Sequence, residues 1–263
     1  MGLSYETAAA ERPLPKPPER GGDWATWAAE QRPPAQFLST YSGPRLFGFD
    51  SHVRLGGVIV QPAEVVLGIR AWDDAFEGVI ELDGIASPVP YALFEVEKIV
   101  RMMLHQSGLA FEILASPAVL HDDAFPARRI VDAAITRNIL HHYRDVASGW
   151  MARLVETRGQ GAEPADALDV VRNALTGRAL VDGRAAFDVW ELVGDYGEGG
   201  LEELLRELQT GVEPAAVDAL REHVDGLLAQ IDPDVAKLPE SPRDYDWLND
   251  FVVSSRSVCS KRA

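Results

Sequence analysis

Short apolar runs separated by turn residues dominate the first half of the chain. The runs at 37–41, 58–60 and 76–85 have the length and composition of strands, and proline or glycine residues lie beside them. Pro88 and Pro90 follow the third run. Because proline has no N–H to donate to a sheet, we expect a loop or an edge strand there. The pattern therefore predicts three strands before the first long helix.

The spacing of apolar residues then changes to three and four. It first predicts a helix over 93–105, with an inward stripe formed by Val96, Ile99, Val100, Met103 and Leu104. A shorter helix is predicted over 109–115, and Ser116-Pro117 ends it. After Pro126 the chain is predicted to be mostly helical, with helices over 130–154, 165–180, 202–208, 214–231 and 247–253.

Strands followed by helices predict an α+β fold, in which a helical bundle packs on a small mixed β-sheet. Residues 1–35 are interpreted as a flexible tail, since four prolines between 13 and 18 and the Gly21-Gly22 pair disfavour regular structure. The sheet domain is predicted over 36–125 and the helical domain over 126–253. Residues 254–263 are interpreted as a second tail.

Composition narrows the expected partners and location. The 263 residues carry a net charge of −16, and no run of basic residues is present. Because nucleic-acid binding needs a Lys/Arg footprint on the phosphates, we expect a small molecule or another protein as the main partner. The chain has no apolar run long enough to span a bilayer and no apolar leader, so we expect a cytoplasmic location and no membrane partner. Cys259 is interpreted as an incidental thiol.

Several short motifs occur in a fixed order along the chain. The first is Ser-Gly-Pro-Arg-Leu-Phe-Gly-Phe-Asp-Ser at 42–51, followed by Leu-Gly-Gly-Val at 55–58. The others are Lys98-x-x-Arg101, Gly-Leu-Ala-Phe-Glu-Ile-Leu-Ala-Ser-Pro at 108–117, His141-His142-Tyr143 with Gly149, Arg172 with Leu175-Thr176-Gly177, and Leu248-Asn249-Asp250. Over roughly 37–255 the chain resembles the DNA polymerase beta-like nucleotidyltransferase superfamily, in its bacterial branch associated with RNA repair.

The resemblance implies a nucleotidyltransferase-like sheet domain and a set of positions for its chemistry. Such enzymes hold two divalent ions with an Asp-x-Asp pair and a third carboxylate, and a Gly-Ser turn holds the phosphates. Here Pro44 takes the place of that serine. The two aspartates fall on His52 and Arg54. The third carboxylate falls on Pro90 in a gap-free alignment, or on Asp83 if the region around Pro88 and Pro90 is an insertion. By the same resemblance, the nucleotide-binding residues are Ser42, Gly43, Arg45 and Lys98.

Other residues offer alternatives to the missing ligands. Glu81 and Asp83 are two apart on a predicted strand, so both can face one side, and Asp50 lies in the preceding turn. These three either replace the lost magnesium ligands or form an acidic strand end that faces solvent.

The cations and His52 leave further interpretations open. Arg54 either holds a phosphate together with Arg45 or forms a salt bridge with Asp50 or Glu64. A metal-independent enzyme would use His52 as general base and Arg54 as anion binder. With Asp83, these two are the candidate catalytic residues. A separate expectation is a buried ion cluster that ties a helix to the sheet, formed by Lys98, Arg101 and Glu112.

The sequence therefore favours a pseudoenzyme. We expect a nucleotidyltransferase fold that has lost its metal site and acts as a nucleotide- or ligand-binding subunit, or as the regulator of a partner such as a catalytically active paralogue. That function requires no cofactor. The alternative is an active transferase that uses magnesium and a nucleoside triphosphate on a small-molecule or protein hydroxyl, with Asp50, Glu81 and Asp83 as metal ligands.

Overall fold

The computed structural model of the chain describes residues 26–27, 30, 35–41, 54–69, 71–80, 88–116, 118–121, 125–162 and 164–260. Contacts between residues divide the chain into two compact units. The sheet unit contains the described residues within 35–41, 54–135 and 241–260, and the helical unit contains those within 136–240. The segments 127–135 and 241–253, which the sequence assigned to the helical domain, thus group with the sheet.

The sheet has five strands in the order β3-β4-β2-β1-β5. The strands are β1 Ala35–Tyr41, β2 Arg54–Ile59, β3 Ala75–Ile80, β4 Val89–Glu95 and β5 Ala118–His121. β2 and β4 are parallel, whereas the other three neighbouring pairs are antiparallel. This mixed sheet confirms the predicted α+β class.

The sequence prediction was wrong about β4. It placed a loop or an edge strand around Pro88 and Pro90 and a helix from residue 93, whereas β4 is an internal strand that continues to Glu95. Pro90 is tolerated because the parallel ladder with β2 begins one residue later, at the pair Leu55–Tyr91. The helix begins only at Val96, and the Glu95 side chain caps it by accepting a hydrogen bond from the backbone N–H of Glu97.

Helices α1 Ala63–Val66, α2 Val96–Leu104, α3 Gly108–Ala115, α4 Ala127–Ala134 and α10 Tyr245–Ser260 complete the sheet unit. The inward stripe predicted for α2 is confirmed at Val96, Ile99, Val100 and Met103, all of which are buried. α3 approaches the sheet very closely. A Cβ atom on Gly56 of β2 would lie 2.3 Å from Cγ1 of Ile113 on α3. The buried Ser39 of β1 donates a hydrogen bond to the Ile113 carbonyl at 2.7 Å.

This close approach makes Gly56 sensitive to substitution. We expect Gly56→Val to lower the free energy of unfolding by about 1–3 kcal/mol, because the added methyl groups displace α3 from the sheet. Urea denaturation measures the change. Gly226 is the matched control, since it lies in an exposed part of a helix with nothing within 4 Å of an added Cβ. Gly226→Ala should raise stability by about 1 kcal/mol. An unchanged midpoint in Gly56→Val would contradict the packing argument.

An apolar cluster in the sheet unit contains residues of β1, β2 and β4. It consists of Ala35, Leu38, Leu55, Ile59, Val89 and Leu93, with partly buried residues such as Trp27, Phe76 and Tyr91 packed against it. The Trp27 and Tyr91 rings meet edge to face, with their centroids 4.9 Å apart. The sequence had assigned Trp27 to the flexible tail, but this residue packs against the sheet unit.

The helical unit contains α5 Asn138–Thr157, α6 Pro164–Val181, α7 Val189–Tyr196, α8 Leu201–Leu208, α9 Pro214–Ile231 and the 3₁₀ helix Asp232–Lys237. Residues of α6 from Ala167 to Thr176 are buried. They include a polar network in which Arg172 Nε donates to Asp169 Oδ1 at 2.9 Å and Thr176 donates to the Ala186 carbonyl at 3.1 Å. Among the described helices, none is both long and apolar enough to cross a bilayer.

Candidate functional site

Four strand ends meet at one end of the sheet. Tyr41, the last residue of β1, pairs with Arg54, the first residue of β2. Ile80, the last residue of β3, pairs with Val89, the first residue of β4. Because β2 and β4 are parallel neighbours, the connection from β1 to β2 and the connection from β3 to β4 both attach at this end, which we call the candidate end of the sheet.

Most of the predicted site residues belong to these two connections. Ser42, Gly43, Arg45, Asp50 and His52 come between β1 and β2, and Glu81 and Asp83 come between β3 and β4. All seven lie outside the described residues, and their assigned roles stay predictions. The strand ends on either side of them are described, so the fold joins both segments to the same end of the sheet.

Arg54 and Pro90 are the described residues at the predicted carboxylate positions. Both are half-buried. Each precedes the first pair of the parallel ladder, Leu55–Tyr91, by one residue. Two of the three positions that the resemblance assigns to metal ligands are therefore neighbours at the start of paired strands. A guanidinium group is a cation and a proline side chain has no donor atom, so neither residue can coordinate magnesium.

Elsewhere in the described part of the chain, no group of three or more His, Cys, Asp or Glu side chains could hold a metal ion.

Lys98 lies away from this end. Its Nζ atom is 2.8 Å from Oδ1 of Asp74 and 5.7 Å from the centroid of the Phe94 ring. Asp74 accepts a backbone hydrogen bond from Glu95, at the opposite end of β4 from Pro90. Five residues of strand, about 17 Å, separate Pro90 from Glu95. The structure therefore does not bring Lys98 together with Arg54.

The expected ion cluster of Lys98, Arg101 and Glu112 is wrong. Lys98 pairs with Asp74, as described above. Arg101 pairs with Glu97 one helical turn earlier, at 2.5 Å, and its side chain is 71% exposed. Glu112 is buried on α3. The i,i+4 spacing gave Arg101 a closer carboxylate on its own helix than the one expected on α3.

A different ion cluster, absent from the sequence prediction, joins α10 to the junction of β4 and α2. The Arg256 guanidinium donates to Glu95 Oε2 at 3.1 Å and to Glu97 Oε2 at 2.6 Å. The Glu95 carboxylate is 0% exposed. The hydrogen bond from Arg256 lowers the pKa of Glu97, and burial opposes that effect. The acidic pair Glu95-x-Glu97 was the available sequence signal, but its partner is 161 residues from Glu95.

The motif residues Arg172 and Gly177 have packing roles. The Arg172 guanidinium is buried against Asp169. A Cβ atom on Gly177 would lie 3.1 Å from Cδ1 of Ile231 on α9. The absence of a side chain at Gly177 therefore allows α6 to pack closely against α9.

The mixed sheet, with helices before and after its last strand, defines an α+β protein. The chain belongs to the RNA repair pathway DNA polymerase beta family (RlaP), whose family model matches residues 29–254. This match confirms the family resemblance drawn from the sequence motifs. The chain is also similar to a nucleotidyltransferase-like protein from Exiguobacterium sibiricum 255-15, with 12% identity over 81% of this chain and 74% of that chain and a TM-score of 0.38. No curated protein matches the chain.

Proposed function

We propose that this chain is a non-catalytic member of its family, which keeps the nucleotidyltransferase fold and binds a nucleotide or a similar ligand in order to regulate a partner protein. The observation that carries this proposal is the position of Arg54 beside Pro90 at the start of the two parallel strands. Both residues replace metal ligands of the resembling enzymes.

Electrostatics argue against a two-metal mechanism at this place. A guanidinium group repels a divalent cation, and the repulsion is stronger at a half-buried position than in bulk water. The same group binds phosphate oxygens well, because its planar fork matches them. Arg54 is thus suited to hold the phosphates of a nucleotide without magnesium. In a regulatory complex, a catalytically active relative would supply the metal chemistry.

Calorimetric titration of the pure protein with ATP, GTP, CTP and UTP, with and without magnesium, tests this proposal. We expect binding of at least one nucleotide in the absence of magnesium. Arg54→Gln should weaken that binding about tenfold or more, since it removes a charge-assisted contact. Arg101→Gln is the control, because this exposed arginine lies on α2.

Binding that requires magnesium, or magnesium-dependent transfer by the isolated chain, would contradict the proposal. Absence of binding to all four nucleotides would overturn the nucleotide-binding part and support a role in protein interaction alone.

An active transferase is the second candidate, and one observation favours it. β3 ends at Ile80 beside Val89, so the segment with Glu81 and Asp83 leaves the sheet at the same end as Arg54. Together with Asp50, these carboxylates would be substitute ligands for magnesium. Under this candidate, Asp83→Asn abolishes magnesium-dependent transfer from a nucleoside triphosphate and leaves the melting temperature unchanged. An unchanged transfer rate in that variant would exclude it.

A further inference from the structure

The outer face of α5 carries an open groove of about 260 Å³. All five residues that line it belong to this one helix: Asp145, Val146, Gly149, Trp150 and Arg153. The Trp150 side chain is 37% exposed, and the neighbouring small residues Ser148 and Ala152 are also exposed. Within the described ranges, this face therefore combines an accessible indole ring with small residues.

Gly149 at the centre of the groove has no packing role among the described residues. A Cβ atom there would have no neighbour within 4 Å, unlike one at Gly56 or Gly177. Glycine inside a helix is destabilising relative to alanine. Because glycine has no side chain, another helix can approach its backbone closely. The contacts within the described chain use no such approach at this position.

The charges on this face are symmetric about Gly149. Asp145 lies four residues before it and Arg153 four residues after it, and both are exposed. Their present contacts are weak. Asp145 accepts from Nε of its neighbour Arg144 at 3.4 Å, and the Arg153 guanidinium lies 5.2 Å from the centroid of the Trp150 ring. Exposed pairs of this kind contribute little to stability, so they can exchange partners at low cost.

We propose that this face binds a second copy of the chain, with the two α5 helices crossing antiparallel at Gly149 on a two-fold axis. Residues four positions before and after Gly149 are close to the line of contact and then lie opposite each other. Asp145 of each copy lies beside Arg153 of the other, so two ion pairs form by symmetry. No like charges meet at these pairs.

Charge complementarity favours a second copy over an unrelated partner. The same helix carries both Asp145 and Arg153, each four residues from Gly149. Two copies of the helix are therefore complementary to each other, as in an isologous contact. Two copies repel one another, because each carries a net charge of −16. The two ion pairs form only when Asp145 of one helix is opposite Arg153 of the other, so they fix the register of the two helices. One helix of 20 residues is about 30 Å long. Its contact area is at the small end of specific interfaces, so we expect a weak dimer that depends on concentration.

Sedimentation velocity of the full chain, from micromolar to submillimolar concentration, tests this inference. We expect a reversible monomer–dimer equilibrium. Asp145→Arg and Arg153→Asp should each weaken dimerisation about tenfold or more, because each places two like-charge pairs in the contact. The double variant Asp145→Arg/Arg153→Asp should restore it, since the exchanged charges again face each other. A merely structural role of either residue would not produce this rescue.

The variant Gly149→Gln provides a test of dimerisation that is independent of the charge reversals. It should abolish the dimer and raise the melting temperature, since glutamine favours the helix but blocks the close crossing. Gly226→Gln is the matched control on an open face of α9, and it should raise the melting temperature without changing the dimer. A chain that is monomeric at every concentration would overturn the inference. So would a dimer that survives Gly149→Gln and both charge reversals.

Discussion

Replacement of Arg256 by leucine is expected to lower the free energy of unfolding by about 3–5 kcal/mol. The guanidinium contacts two carboxylates, and that of Glu95 is fully buried. Removal of the arginine leaves this charge without its cation inside the sheet unit, where water cannot replace the lost interaction. The loss therefore includes the cost of an uncompensated buried charge as well as the hydrogen bonds to both carboxylates.

Urea denaturation at neutral pH measures this effect, with Arg101→Leu as the matched control. Arg101 also contacts Glu97, but its side chain is largely exposed, so its removal should cost less than about 1 kcal/mol. Equal effects of the two variants would show that the buried pair contributes no more than a surface pair. That result would contradict the assigned role of Arg256.

The same variant should change the pH dependence of stability. The Arg256 hydrogen bond lowers the pKa of Glu97 in the folded protein. A lowered carboxyl pKa stabilises the fold above the ordinary pKa of glutamate, and this contribution is lost as the pH falls through the folded-state value. Arg256→Leu should therefore have a flatter stability profile on the acidic side than the wild type. Thermal melts from neutral to acidic pH measure the difference.

The second large effect is expected at Arg172 in the helical unit. Arg172→Leu should destabilise the protein by about 3–5 kcal/mol at neutral pH, because Asp169 would remain buried without its cation. Burial already raises the pKa of Asp169, and Arg172 opposes this rise. With a raised folded-state pKa, protonation favours the folded protein, so stability is gained as the pH falls through that value. The deficit of Arg172→Leu should consequently shrink toward acidic pH.

Two comparisons check the Arg172 prediction by chemical denaturation. Arg206→Leu removes an exposed i,i+4 pair with Glu202 and should cost far less stability than Arg172→Leu. The double variant Asp169→Leu/Arg172→Leu should recover part of the loss, because the Asp169 carboxylate is then no longer buried without its cation. A double variant less stable than Arg172→Leu alone would contradict the argument.

How well the sequence predicted each element depended on the separation in sequence of the residues that form it. The α2 stripe was predictable because its residues lie one turn apart on a single helix. β5 and the last part of β4 were not. β5 has four residues and pairs with β1, about 80 positions earlier in the chain. Residues 93–95 fitted a helix by period and became strand only because β2 pairs with them.

The candidate site shows the same division. The motifs in the chain identified the family and assigned Arg54 and Pro90 to carboxylate positions. Only the parallel register of β2 and β4 makes these two residues neighbours, since they are 36 positions apart in the chain. Lys98 belonged to the same motif set, yet its helix starts at the other end of β4, where Asp74 neutralises it. A motif orders residues along the chain, whereas strand direction decides which of them meet.

By itself, the sequence determined the α+β class and the family, because these follow from local periodicity and from the order of short motifs. The tertiary structure alone decided the internal position of β4, the meeting of four strand ends beside Arg54 and Pro90, and the ion cluster of Glu95, Glu97 and Arg256. Each of these depends on which distant segments pair. The burial of whole apolar faces and the compensation of buried charges select this pairing. Neither effect can be evaluated from a short window of sequence.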